Sequence, residues 1–480
     1  MTPPRDIDVL VAEIGSTTTV VSAFDGLSDE SRNAGATPCL VGQGVAPTSV
    51  LQGDVTVGMN AARAQLEERS GALWPRHFLA TSSAAGGLRM TVHGLTAKMT
   101  AMAAREAALG AGGVVEYQTA GKLRRHDLKA IAAARPNVIM LAGGVEGGDV
   151  ETVLHNAEML TQVDFATAAA PPDAAQTPIQ DRVLAAGRKP MIIYAGNSAV
   201  CDESCEILTE AGFHVRVTTN VYPGIDQLDI VPARTVIHDA FEDHIIHAPG
   251  MERIGELVTG NILPTPGAVL LAAETLAETL GDLVVIDVGG ATTDVHSVTD
   301  GSIEYNAIQT EPQPHSKRTV EGDLGTFVSA EHVNELIDER QRPQHLPPAI
   351  PRTDEDRLIA EQLAHTATVT GVYRHAGQLA YLYTPTGRQT VARGRDLTAC
   401  RHVIGTGGAL TRLPGGLEAL RAACARNGGD RLLPSADATV VLDNDYIFAV
   451  CGALLGHFDA EGVVQLMLHS IGVLASSDAS

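Results

Sequence analysis

One local pattern occurs twice in this chain, near its start and again past its middle, and it constrains the fold more than anything else in the sequence. The first copy is Asp8-Val-Leu-Val-Ala-Glu-Ile-Gly-Ser-Thr-Thr-Thr19, and the second is Leu283-Val-Val-Ile-Asp-Val-Gly-Gly-Ala-Thr-Thr-Asp294. Each runs from an apolar strand to an acid, a glycine turn and then hydroxyl residues. Glycine lets a backbone approach a phosphate, and N–H and hydroxyl groups bind its oxygens. The phosphate candidates are therefore Gly15, Ser16, Thr17 and Thr18 in the first copy, with Gly289, Gly290 and Thr292 in the second. The acids before the glycines, Glu13 and Asp287, can hold magnesium through water, and Asp294 adds a third carboxylate. A strand ending in a plain turn would explain either copy alone. The repetition favours two matched loops around one polyphosphate. A third glycine run, His402-Val-Ile-Gly-Thr-Gly-Gly-Ala-Leu-Thr411, could be only a helix entry. Gly405, Gly407 and Gly408 would also let a flat adenine lie on the backbone.

A chain of 480 residues exceeds one ordinary core, so several domains are expected. Hydrophobic residues make up 44% and aromatics only 4%, with much Ala and Gly, which suits strands alternating with Ala-rich helices. The formal net charge of −23 argues against nucleic acid and anionic membranes as partners. No run of about 18 apolar residues suggests a membrane span. The N-terminal Met1-Thr-Pro-Pro-Arg5 lacks a signal-peptide layout, and six scattered cysteines fit a reducing compartment, so a cytoplasmic protein is expected.

Residues 7–14 and 18–24 read as two strands around the Gly15 turn. Thr91 to Leu109 reads as a helix ended by Gly110, and Pro136 to Leu141 as a buried strand. Met191–Ala195, Asp202–Ala211 and His214–Thr219 read as strand, helix and strand. Ala168–Pro178 reads as a surface loop. Thr265–Leu280 reads as a helix feeding the strand Leu283–Asp287. Arg340–Thr353, with four prolines, reads as an exposed connection before a helix over Asp354–Thr370. Leu417–Arg426 reads as a further helix, and the tail after His469 as frayed.

Other features have plainer readings. Lys317-Arg-Thr-Val-Glu-Gly-Asp-Leu-Gly325 follows the second loop, and Glu321 there could contact ribose or order the cleft. A solvated loop explains it as well. His238, His244 and His247 stand among Asp239, Glu242 and Asp243, where a solvated helix face is the simpler account than a metal site. Cys201 and Cys205 lack the spacing of a zinc or redox pair. P-loop, dinucleotide, serine-hydrolase and zincin motifs are absent.

Taken in order, these loops resemble those of the actin/Hsp70/sugar-kinase ATPase superfamily. Val138–Gly144 and Tyr446–Gly456 look like its two connecting segments. The first loop of that superfamily usually carries Asp where this chain has Glu13. The resemblance implies an α/β fold: two RNase H-like actin-type ATPase domains facing across a nucleotide cleft, with an additional α/β insertion. The expected division is 1–150, completed by a C-terminal helix at 446–468, for the first domain, 151–260 for the insertion, 261–445 for the second domain and 469–480 for the tail. It also implies ATP and Mg2+ as cofactors, with Asp287, Glu13 and Glu146 as catalytic acids. Near Glu146 and Asp149 related ATPases orient the attacking water, although a surface acid in a Gly-rich turn is the simpler reading of these residues.

A narrower resemblance rests on longer runs: Ala80–Met90, Leu141–Gly144 with His155–Glu158, Ala195–Asn197, Pro264–Pro266, Val288–Val298 and Arg318–Gly325. These are similar to the accessory, reactivating proteins of adenosylcobalamin-dependent glutamate (methylaspartate) mutase. That family implies a chaperone-like ATPase whose partners are cobalamin-mutase subunits, with self-association left open. A small-molecule kinase or an actin-like scaffold would use the same pocket.

Overall fold

The computed structural model describes residues 5–50, 53–84, 88–165, 189–246, 251–385, 387–425 and 429–473. The expected loop at Ala168–Pro178 and most of the tail lie outside these residues, as does His247. The chain divides into two compact units, one of Met1–Pro47, Ala61–Thr81 and Ala268–Ser480, the other of Thr48–Asn60 and Ser82–Gly267.

The larger unit opens with strands β1 (Arg5–Ile14), β2 (Thr18–Asp25), β3 (Cys39–Pro47) and β4 (Leu73–Ser82). In the sheet they lie in the order β4-β1-β2-β3, with β1, β2 and β3 antiparallel. Eight successive residues of β1 are buried, so the strand is covered on both faces.

The smaller unit holds β5 (Arg89–Gly94), β6 (Val114–Ala120), β7 (Val138–Ala142), β8 (Met191–Tyr194) and β9 (Val215–Val217), with the two-residue β10 (Leu263–Pro264) following them in sequence. The order β6-β5-β7-β8-β9 is parallel throughout, a doubly wound sheet. This corrects three expectations. Thr91–Gly94 is strand, not helix, because Thr91, Val92 and His93 are buried in the middle of the sheet, and the helix begins only at Thr100. Val138–Ala142 is a central strand between β5 and β8, not a connecting segment between ATPase domains. The boundary expected at 150 falls instead near Ser82, because β7 pairs with β8 across it.

The larger unit resumes with β11 (Leu283–Val288), β12 (Thr293–Val298), β13 (Ser316–Glu321), the hairpin β14 (Gln378–Thr384) and β15 (Gly387–Arg393), then β16 (His402–Thr406) and β17 (Thr439–Leu442). The main sheet runs β13-β12-β11-β16-β17. Its first three strands are antiparallel, and β16 and β17 are parallel to β11. Counted from each sheet's own first strand, both contain the order 3-2-1-4 and the second adds a fifth strand, so the unit contains the RNase H-like strand order twice.

The two sheets share one core. Val9, Val11 and Phe24 of the first and Leu283, Val285, Val298 and Ile404 of the second pack on the helices Thr265–Leu280, Phe448–Leu454 and Ala460–Ser470. Every residue of Phe448–Leu454 is buried. Gly452 makes this packing possible, since a β-carbon there would stand 2.1 Å from the Ala268 carbonyl. On its other face the second sheet is covered by the helix Asp354–His375, which starts in a Thr353/Asp356 capping box. Among the described residues no helix is long and apolar enough to cross a membrane.

Candidate nucleotide site

The two repeated motifs fold into the same object. In the first, Ile14 pairs with Thr19 and the Gly15 N–H donates to the Thr18 carbonyl at 2.9 Å. In the second, Val288 pairs with Thr293 and the Gly289 N–H donates to the Thr292 carbonyl at 2.9 Å. Ser16 and Thr17 occupy the tip of one turn, Gly290 and Ala291 the tip of the other. Glu13 and Asp287 hold equivalent places, two residues before the glycine. The tips meet: a β-carbon on Gly290 would stand 2.9 Å from Thr17 Cγ2 and 3.1 Å from its Oγ1.

The second turn is braced from behind. The N–H groups of Thr326, Phe327 and Val328 donate to the Gly289 and Gly290 carbonyls at 3.1, 2.8 and 2.7 Å. Gly325 allows this approach, because a β-carbon there would lie 2.3 Å from the Ala291 carbonyl group. The run Arg318–Gly325 therefore ends in the brace of this turn. Glu321 does not stand alone as a polar group for ribose: Arg374 Nη1 donates to its Oε2 at 2.8 Å, and the same guanidinium grips Asp323 at 2.7 and 2.9 Å.

The acids beneath the turns are not equivalent in wiring. Asp294 lies directly across the hairpin from Asp287. Its Oδ1 accepts from Arg318 Nε at 2.8 Å and Nη2 at 2.6 Å, and its Oδ2 from the Thr292 hydroxyl at 3.0 Å. Both partners of this ion pair are buried. Desolvation and the carboxylates of Asp294, Glu13 and Asp443 push Asp287 well above the usual carboxylate range, with Arg318 opposing. Burial, then the Asp443 charge, raises Glu13 to about 7 against the Tyr446 hydrogen bond and the Arg412 charge. Glu13 Oε1 accepts from the Tyr446 hydroxyl at 2.7 Å, while its buried Oε2 has no partner among the described residues.

The orphaned oxygen of Glu13 and the repelling acids around Asp287 fit a hydrated cation, which would supply the missing positive charge. Among the described residues no three His, Cys, Asp or Glu side chains converge to grip a bare metal ion. Asp294 is already committed to Arg318, so Glu13 and Asp287 are the acids best placed to face such a cation through water.

The third glycine run is divided in purpose. Gly405 faces the core, where a β-carbon would meet Leu420 at 2.7 Å and Leu442 at 2.9 Å. Gly407, at φ 87°, abuts β11: a β-carbon would stand 2.5 Å from Asp287 Oδ1 and from the Val288 carbonyl. Only Gly408 faces open space. Glu146 lies in the smaller unit, where its carboxylate accepts from the Ser198 N–H at 3.1 Å and Asn220 Nδ2 at 2.8 Å, and also binds the Ser198 hydroxyl. In the same unit Asp239 and Asp243 turn to Arg216, at 4.0 and 2.7 Å. Sequence reasoning missed Asp443 and Tyr446. Asp443 is fully buried and takes the Thr406 hydroxyl at 2.8 Å and the N–H groups of Ile447 and Phe448 at 2.8 and 3.0 Å. Its acid-then-helix spacing was the one available signal.

Two RNase H-like sheets, each presenting a glycine turn over an acid, define an α/β protein of the actin-type ATPase fold, with a doubly wound α/β unit inserted. The family model described as MutL protein matches residues 9–471, and the chain belongs to that family. It is 34% identical over 477 residues to Protein MutL of Clostridium tetanomorphum, covering 93% of this chain and 95% of that one. Among solved structures it is similar to a glycerol dehydratase reactivase (TM-score 0.33, 12% identity, 93% of this chain and 99% of that one). Diol dehydratase-reactivating factor in nucleotide-free form matches with TM-score 0.35 and 12% identity over 93% and 99% of the two chains. Xylulose kinase from Bifidobacterium adolescentis matches with TM-score 0.27 and 12% identity over 94% of each chain.

Proposed function

We propose that this chain binds ATP with magnesium at the paired turns and uses the nucleotide cycle to reactivate an adenosylcobalamin-dependent mutase, glutamate mutase being the first candidate. The observation that carries the nucleotide reading is the identical hairpin register at Gly15 and Gly289, with the two tips in contact and an acid under each. Ser16, Thr17, Thr18, Gly290 and Thr292 would hold phosphate oxygens. Glu13 and Asp287 would face the hydrated cation, whose charge would neutralise the triphosphate. Gly408 is the open edge on which the adenosine would lie. Bound γ-phosphate would tie one turn to the other, and its loss would release them. A ligand shifts such a balance only as far as it prefers one state.

The partner reading is supported by membership of the MutL family together with the likeness of the Val288–Val298 and Arg318–Gly325 runs to mutase accessory proteins. The test is to inactivate a cobalamin mutase by turnover, then add this protein with ATP, magnesium and fresh adenosylcobalamin. Recovered turnover that requires ATP is the expected result. No recovery with any cobalamin mutase of the source organism, together with phosphorylation of a small metabolite, would replace it with the kinase reading.

A further inference from the structure

The longer acid of the first turn has an anchor that the second turn does not need. Tyr446 lies between β17 and the buried helix Phe448–Leu454, 433 positions from Glu13 in sequence. Its backbone is left-handed at φ 53°, a conformation that bulky side chains rarely adopt. Strain of this kind persists only where the surroundings over-determine it. Here the Tyr446 N–H donates to the Asp443 carbonyl at 2.9 Å, and Gln43 Nε2 donates to the Asp445 carbonyl at 2.9 Å. Asp443 is itself locked onto the helix start by the Ile447 and Phe448 N–H groups. The Arg412 guanidinium stands over the ring, 5.5 Å from its centroid. This framework turns the hydroxyl onto Glu13 Oε1 at 2.7 Å and leaves Oε2 buried and, among the described residues, without a partner.

We infer that Tyr446 is a positioning residue for Glu13: its hydroxyl fixes Oε1 so that Oε2 is presented to the hydrated cation of the nucleotide. The inference rests on the nucleotide reading above. Glutamate has one more rotatable bond than aspartate, so an unheld Glu13 would spread over more rotamers. A single hydrogen bond to one oxygen removes that freedom and directs the other. At the second turn Asp287, at the equivalent place on β11, has one rotatable bond fewer. The alternative is that the hydroxyl only satisfies a buried carboxylate and has no bearing on the cation.

The test is Tyr446→Phe, which deletes one oxygen. Manganese binding to the protein with a non-hydrolysable ATP analogue is followed by electron paramagnetic resonance, and analogue binding in EDTA by calorimetry. Loss of a positioning partner costs roughly tenfold or more in metal affinity. The expected result is a fall of that size in manganese affinity with the metal-free analogue affinity unchanged. Should the variant not fold, Tyr446→Asn serves instead, since asparagine suits the left-handed backbone at φ 53° and is too short to reach Glu13; the same loss is expected. Wild-type manganese affinity in either variant overturns the positioning role while leaving the nucleotide site standing. Failure of the unaltered protein to bind manganese with the analogue overturns the nucleotide reading itself.

Discussion

The two glycine turns share a register but differ in what stiffens them. The second is held by its own neighbourhood: the buried Arg318–Asp294 pair under it, and the N–H groups of 326–328 behind it. In the first, the acid is tied to a residue from the far end of the chain through the Tyr446–Glu13 hydrogen bond. A turn fixed by local contacts keeps its shape whatever happens elsewhere. An acid held by a residue distant in sequence is sensitive to where that residue lies. We take the second turn as the fixed half of the site and the first as the half whose acid is tied to the segment before the helix Phe448–Leu454.

The largest effect should come from breaking the fixed half. Among the described residues, Arg318→Met leaves the buried Asp294 with only the Thr292 hydroxyl. Orphaning one member of a buried ion pair costs about 3–5 kcal/mol. Thermal melting should show a strong loss, and adding Asp294→Leu should recover part of it. A single variant that melts like the unaltered protein would mean the pair does not brace the turn.

Next in size is Asp287→Ala. Its carboxylate is held near three other acids, so its removal relieves repulsion rather than packing. Stability should stay the same or rise. ATP hydrolysis should fall by roughly a hundredfold, about 2.7 kcal/mol of transition-state stabilisation. Phosphate release at unchanged rate would take the cation away from Asp287.

The first turn should show itself in pH dependence. Glu13 is raised to about 7 in the folded protein from 4.5, so between these values the native state holds a proton that the unfolded chain has lost. Stability is then greatest below about pH 4.5, falls as pH rises through about 7, and levels off above. Its share is about 3 kcal/mol. Glu13→Gln keeps an acceptor for Tyr446 but cannot ionise, so urea melts from pH 5 to 8 should lose that part of the slope. An identical slope in the variant would place the titration on another acid.

The difference between the halves also marks what a sequence can disclose. The turns, their acids and the helix Thr265–Leu280 were legible because glycine placement, apolar runs and caps act over a few neighbouring residues. The role of Tyr446 was not, since nothing near position 446 records Glu13. Arg318 stood in a recognisable run, yet its ion pair depends on the β12–β13 register. The buried strand expected over Pro136–Leu141 forms as Val138–Ala142, but it belongs to the smaller unit. An apolar strand looks the same in any parallel sheet, and strand order is set by pairing across long sequence distances. The three glycines at 405–408 looked alike, while their surroundings differ completely.

Those glycines give the smallest expected effect and the cleanest one. Replacing Gly407 by Val, an attractive test of adenine contact from sequence, confounds two causes. The residue sits at φ 87° and a β-carbon would collide with Asp287 and the Val288 backbone, so the fold would suffer first. Gly408 has no such constraint: its φ is not in the left-handed region and a β-carbon would meet nothing within 4 Å. It opens the short helix Gly408–Thr411, where a side chain costs little. Gly408→Val should therefore melt within a few degrees of the unaltered protein. If adenosine lies on this edge, the added side chain occupies its place, and calorimetry should find ATP affinity reduced several-fold, roughly 1 kcal/mol. Triphosphate without a base should bind equally to both proteins, because the phosphate turns are untouched. Equal ATP affinity in the two would put the base against another surface, and would leave β16 and its glycines with a packing role only.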